Sequence, residues 1–79
     1  MNTVIKGCKT IEEFKKKQQK LEKLAELAYK NHKSSVETWN EGEPIKAWYE
    51  DDSDICVEYE SGKYWHYTDL DMPFITWCN

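Results

Sequence analysis

The stretch Ile55-Cys56-Val57-Glu58-Tyr59-Glu60-Ser61-Gly62-Lys63-Tyr64-Trp65-His66-Tyr67-Thr68 decides the fold. Two runs rich in β-branched and aromatic residues flank Ser61-Gly62, a dipeptide of turn chemistry, and that is how a β-hairpin reads in sequence. Upstream, Ile45-Lys46-Ala47-Trp48-Tyr49-Glu50 repeats the pattern and is separated from the hairpin by Asp51-Asp52-Ser53, which again favours a turn. Connections this short make an antiparallel meander, because parallel strands need long crossovers. Residues 36–39, ahead of Glu41-Gly42-Glu43-Pro44, and residues 74–78, after Pro73, are two further candidate strands. The expected sheet is therefore a meander of three to five strands over about residues 36–78.

Further upstream the period changes. Thr10 and Glu13 form T-x-x-E, the capping-box pattern in which a hydroxyl and a carboxylate each take a free backbone N–H at a helix start. From there Ile11, Phe14, Gln18, Leu21, Ala25, Ala28, Tyr29 and His32 fall on one stripe of a helix, with Leu24 widening it and Leu27 projecting away. Asn31-His32-Lys33-Ser34-Ser35 is the expected stop. The fold class is thus α+β: one N-terminal amphipathic helix, about residues 11–31, lying across one antiparallel sheet in a single domain spanning residues 1–79.

Register assigns the faces. A two-residue turn at Ser61-Gly62 pairs Tyr59 with Tyr64, Val57 with His66, and Cys56 with Tyr67. A three-residue loop at Asp51-Asp52-Ser53 pairs Glu50 with Asp54, Tyr49 with Ile55, Trp48 with Cys56, and Lys46 with Glu58. One face then carries Ile45, Ala47, Tyr49, Ile55, Val57, Tyr59, Tyr64, His66 and Thr68, and takes the helix. The other displays Trp48, Trp65 and Tyr67 among Glu50, Glu58 and Glu60, with the aromatics open to water. Trp and Tyr anchor interfaces because they bury large area at low entropic cost. Cover by Phe74, Ile75 and Trp77 from the C-terminal segment is the competing arrangement.

The 79 residues include 11 lysines, no arginine and 15 acids, for a net charge of −4. Residues 1–40 hold nine lysines against five acids, +4, and residues 41–79 hold two against ten, −8. Such asymmetry speaks to partners rather than to fold. A chain this small buries only about 60% of its unfolded surface, which leaves little room for a deep substrate cavity. No apolar run approaches the roughly 18 residues of a membrane span and no signal-peptide core follows Met1, so a cytoplasmic location is expected. Cys8, Cys56 and Cys78, odd in number and without a C-x-x-C pair, read as reduced thiols rather than a disulfide framework or a zinc site.

No phosphate-loop, nucleophile-elbow or zincin motif is present. The best nucleophile–base pair is a cysteine with His66, but the register above sets Cys56 and His66 on opposite faces. Asp51-Asp52-Ser53-Asp54 shares only its charge with a calcium loop and reads as a tight acidic turn. The expectation is no enzyme, no metal and no cofactor.

Lys15, Lys16, Lys17, Lys20 and Lys23 give the helix a basic stretch able to contact phosphates, which makes nucleic-acid binding the alternative reading. Against it stand the absence of arginine and the acids on the aromatic face. An acidic aromatic face suits a protein partner with a basic groove, to which Trp48, Glu50, Asp51, Asp52, Asp54, Glu58, Glu60, Trp65 and Tyr67 are the candidate contacts. In size, charge and lack of catalytic motifs the chain resembles the small acidic inhibitors of phages and mobile elements, of which anti-CRISPR proteins are the best known. That resemblance implies a non-catalytic inhibitor of a nucleic-acid-handling protein. The segment 54–68 is also similar to sheet segments of small proteins on Firmicute mobile elements, and a Lys-only basic set suits an AT-rich genome. A third reading, self-association of monomers into a homodimer, would use Leu24 and Leu27 or an open sheet edge.

Overall fold

The structure is a computed structural model, and it describes residues 1–51, 53–70 and 75–78. The chain runs β1 (Asn2–Val4), α1 (Ile11–Ser34), β2 (Pro44–Tyr49), β3 (Ile55–Tyr59), β4 (Tyr64–Thr68) and β5 (Thr76–Cys78), with sheet order β1-β2-β3-β4-β5. It is an α+β fold in which one helix covers one face of a five-stranded mixed sheet.

The capping signal sets the helix start. Thr10 Oγ1 accepts from Glu13 N at 3.1 Å, and Glu13 Oε2 accepts from Lys9 N at 2.9 Å. The helix runs three residues past the expected stop because the Ser34 and Ser35 hydroxyls both donate to the Asn31 carbonyl, at 3.0 and 2.8 Å, satisfying an acceptor of the last turn. Its buried residues are Leu21, Ala25, Ala28, Tyr29 and His32. Ile11 and Phe14, expected on the same buried stripe, are exposed. Twenty-four residues make a helix of about 36 Å, whereas a six-residue strand spans about 20 Å, so the first turns overhang the sheet.

Two features of the sheet correct the expected meander. β1, unforeseen at three residues, pairs in parallel with β2 (Asn2↔Lys46, Thr3↔Ala47, Val4↔Trp48), and α1 itself is the long crossover such a pair requires. The helix is therefore preceded by a strand. Residues 36–39 form no strand. Trp39 instead turns inward, its indole N–H donating to the Gly42 carbonyl at 2.7 Å and its ring lying edge-on to Tyr29, His32 and Tyr59.

The β2–β3 register is the expected one, from Lys46↔Glu58 to Tyr49↔Ile55, closed by the three-residue loop with Glu50 N donating to Asp54 O at 2.9 Å. The β3–β4 register differs by one residue: Cys56 pairs with His66, Val57 with Trp65, and Glu58 with Tyr64. The loop holds three residues, not two. Tyr59 N donates to Lys63 O at 2.9 Å, and Gly62 sits at φ +89° at the third loop position, where a left-handed residue closes a three-residue hairpin. A one-residue slip moves every side chain of a strand to the other face. All of β4 is therefore inverted relative to expectation.

The core lies between α1 and the sheet: Leu21, Ala25, Ala28 and Tyr29 pack on Ala47, Ile55, Val57, Tyr59 and Tyr67, with Leu70 and Ile75 completing it. Phe74, a candidate cover of the far face in the competing arrangement, lies outside the described residues. Ile75 and Trp77 close the helix-side core instead of the open face.

Candidate functional site

The inversion of β4 divides the expected aromatic patch. Tyr67 is fully buried on the helix side, where its hydroxyl is 2.8 Å from His32 Nδ1 and 2.5 Å from the Tyr59 hydroxyl. Trp65 lies on the same side, edge-on to His32 with ring centroids 4.7 Å apart, and Trp77 stacks on His32 at 4.5 Å. Trp65 and Tyr67 are thus structural, and their placement in an outward-facing patch is corrected. Of the three expected aromatics only Trp48 remains on the open face. It is joined there by Tyr64, which sequence reasoning set beneath the helix and which is 56% exposed, its ring 6.0 Å from that of Trp48.

Three cross-strand rows cross this open face. Lys46, Glu58 and Tyr64 stand opposite one another in the first; Trp48, Cys56, His66 and Cys78 in the second; Thr68 and Thr76 lie in the third. Lys46 Nζ sits 5.5 Å from the Trp48 ring centroid, a cation–π distance. Glu50 Oε1 accepts from Trp48 Nε1 at 2.9 Å and from Cys56 Sγ at 3.2 Å, and these two bonds hold its carboxyl below the ordinary range. Asp51 Oδ1 accepts from Ser53 N (2.8 Å), Ser53 Oγ (3.1 Å) and Asp54 N (3.0 Å), a tight self-bonded turn that also lowers its pKa, chiefly through the Ser53 bonds. Asp54 Oδ2 is 3.5 Å from His66 Nε2, within electrostatic reach but not hydrogen-bonded to it. Glu58 is half-buried between Lys46 and Tyr64, and Glu60 Oε1 accepts from Glu43 N at 2.7 Å at the far end of β2. Asp52 lies outside the described residues.

The expected separation of Cys56 from His66 is overturned as well, since the two are direct neighbours on the open face. Proximity does not make them a nucleophile–base pair. Cys56 is 2% exposed and its thiol proton is held by Glu50; burial first, then that bond, push its pKa up to about 12. A reactive cysteine needs the opposite, a thiolate stabilised by positive surroundings. Cys78 is exposed and Cys8 half-buried, both free.

Lys15, Lys16, Lys17, Lys20 and Lys23 are all exposed along α1. Lys17 and Lys20 reach a cleft that Trp48 also lines, so residues assigned to two separate readings share one place. Leu24 packs on the core and Leu27 is exposed. Among the described residues no helix is long and apolar enough to cross a membrane.

Comparison of the chain with known protein families, with curated proteins and with solved structures finds no match.

Proposed function

We propose that this chain is a non-catalytic binding module that docks the open face of its sheet on a basic, nucleic-acid-handling protein, as the small acidic inhibitors it resembles would do. The observation that carries the reading is the one-sided cover of the sheet. Among the described residues one helix, α1, lies over the face of Ala47, Val57 and Tyr59, and the opposite face presents Trp48 and Tyr64 side by side with Glu50, Asp54 and Glu58 around them. Two adjacent rings supply buried area, and the carboxylates steer a cationic partner and fix its orientation. The surface is smaller and less aromatic than the sequence alone implied, and it centres on the Trp48–Tyr64 pair.

The test is affinity capture with the wild-type chain and the Tyr64→Ala/Glu58→Lys variant, both at low and raised salt. Capture of a basic protein that weakens with salt and is lost in the variant, while Lys23→Glu retains it, supports the reading. Capture indifferent to Tyr64 and Glu58, or association only with further copies of the same chain, overturns it.

A further inference from the structure

Toward the β1 edge of the sheet, where the chain leaves β1 on its way to α1, lies a cleft of about 590 Å³. Lys6, Lys17, Lys20 and Lys46 line it together with Trp48 and Tyr49. These residues come from three parts of the sequence: the segment after β1, the second and third turns of α1, and β2. The βαβ crossover brings them together, which explains why no linear motif announces the cleft. Val4 and Ile5 add apolar lining, and the Tyr49 hydroxyl donates to the Lys17 carbonyl at 3.3 Å, tying β2 to the helix.

The charge of this cleft opposes that of the whole molecule. Four lysines face one acid, Asp51, so the wall carries +3 in a chain of net −4. The Asp51 carboxylate is occupied within its own turn by Ser53 and Asp54, and the nearby Glu50 carboxylate is turned onto the Trp48 indole N–H and the Cys56 thiol. Among the described residues, none of the four lysines has an ion-pair partner. Gathering like charges without counter-charge is unfavourable, and a bound anion relieves it. A volume of this size exceeds a lone phosphate and falls in the range of small-molecule sites, and the indole offers a ring face to a flat group. Lys46 now sits over that face at 5.5 Å; its flexible stem lets the ammonium swing to an anion and give up the ring.

We propose that the cleft binds a nucleoside phosphate, the phosphate held by Lys6, Lys17 and Lys20 and the base stacked on Trp48. The ligand is either a free nucleotide or the phosphorylated end of a single strand, which share this chemistry. Trp48 and Lys46 are common to this cleft and the open face, but the cations that hold the phosphate lie on α1 and on the segment after β1, so the lysine variants test the cleft apart from protein docking.

The experiment is a titration of the ¹⁵N-labelled full chain at low salt, following the Trp48 indole N–H and the Lys17 and Lys20 amides. The probes are thymidine 5′-monophosphate, a 5′-phosphorylated oligothymidylate and inorganic phosphate. Saturable shifts at all three positions are expected with the nucleotide, with affinity about tenfold above inorganic phosphate, the gain that one stacked base supplies. Lys17→Ala/Lys20→Ala should weaken nucleotide binding about tenfold or more, and Trp48→Ala should reduce it to the level of phosphate. Tighter binding of the oligonucleotide assigns the site to strand ends, and equal binding assigns it to free nucleotides. Absence of saturable shifts, equal affinity for phosphate and nucleotide in the wild type, or indifference to both variants overturns the proposal. Lys17 and Lys20 are exposed and Trp48 is half-buried on β2, and an unchanged spectrum elsewhere verifies that the variants fold.

Discussion

The hydroxyl of Tyr67, in the fourth strand, lies 2.8 Å from Nδ1 of His32, near the end of α1, and this bond sits at the centre of an aromatic cluster. Trp39, Trp65 and Trp77 surround the imidazole, and Tyr59 extends the chain of hydroxyls at 2.5 Å from Tyr67. Three of the four tryptophans thus hold the layers together. Tyr67→Phe removes one oxygen and leaves two buried polar groups without their shared partner, at a cost of about 1–3 kcal/mol. Urea unfolding of wild type and variant measures it directly.

Burial keeps the His32 imidazole neutral, with its pKa below the ordinary 6.5, while the Glu41 charge works weakly in the other direction. The unfolded chain takes up the proton near 6.5 and the folded chain does not, so stability is full above that pH and falls as the pH drops through it. Glu50 and Asp51, lowered from 4.5 and 3.8, add their own loss only at more acid pH. Melting curves from about pH 7.5 to about pH 5 should show a decline in the wild type that is much reduced in His32→Phe. Parallel pH profiles would contradict this role of His32.

Gly62 and Gly42 both hold left-handed backbone, at φ +89° and +79°, but they differ in surroundings. A Cβ on Gly62 meets nothing within 4 Å, so Gly62→Ala costs only the conformational strain, about 1 kcal/mol. A Cβ on Gly42 would stand 2.8 Å from Glu60 Cβ, at the point where Glu60 Oε1 holds the Glu43 amide. Gly42→Ala should therefore be the more destabilising of the two, by denaturant titration.

The thiols should separate by reactivity. Cys78 is exposed at the edge of the sheet, whereas Cys56 is buried with its proton held by Glu50 and its pKa raised to about 12. Alkylation of the native chain near pH 8 followed by mass mapping should mark Cys78 and spare Cys56 until denaturant is added. Rapid labelling of Cys56 would mean that the open face is looser than described.

The helix was legible because Thr10 and Glu13 cap it and the stripe from Leu21 to His32 keeps one period. The β2–β3 register was legible because the Asp51 turn has a defined length. The β3–β4 register was not, because Glu60-Ser61-Gly62 and Ser61-Gly62 are both acceptable loops and only the backbone sign of Gly62 separates them. One signal was present in β4: Trp65 and Tyr67 are together more apolar than Tyr64, His66 and Thr68, and the more apolar set belongs under the helix. β1 carries no periodic signal in three residues, and its parallel pairing is made by the crossover. With β1 unseen, the lysine cleft that it helps to line was unseen as well.

Which aromatics face outward rests on a single residue of register in the β3–β4 hairpin, and Hα–Hα nuclear Overhauser effects measure that directly. Tyr59 and Lys63 are hydrogen-bonded across the loop, so by alternation Glu58–Tyr64 and Cys56–His66 are the close, non-hydrogen-bonded pairs, with Cα atoms about 4.5 Å apart. Strong Hα–Hα cross-peaks between Cys56 and His66 and between Glu58 and Tyr64 are the expected result. Strong cross-peaks joining Tyr59 to Tyr64 and Val57 to His66 instead, the close pairs of a two-residue turn at Ser61-Gly62, would return Trp65 and Tyr67 to the open face and contradict the arrangement from which the docking face is drawn.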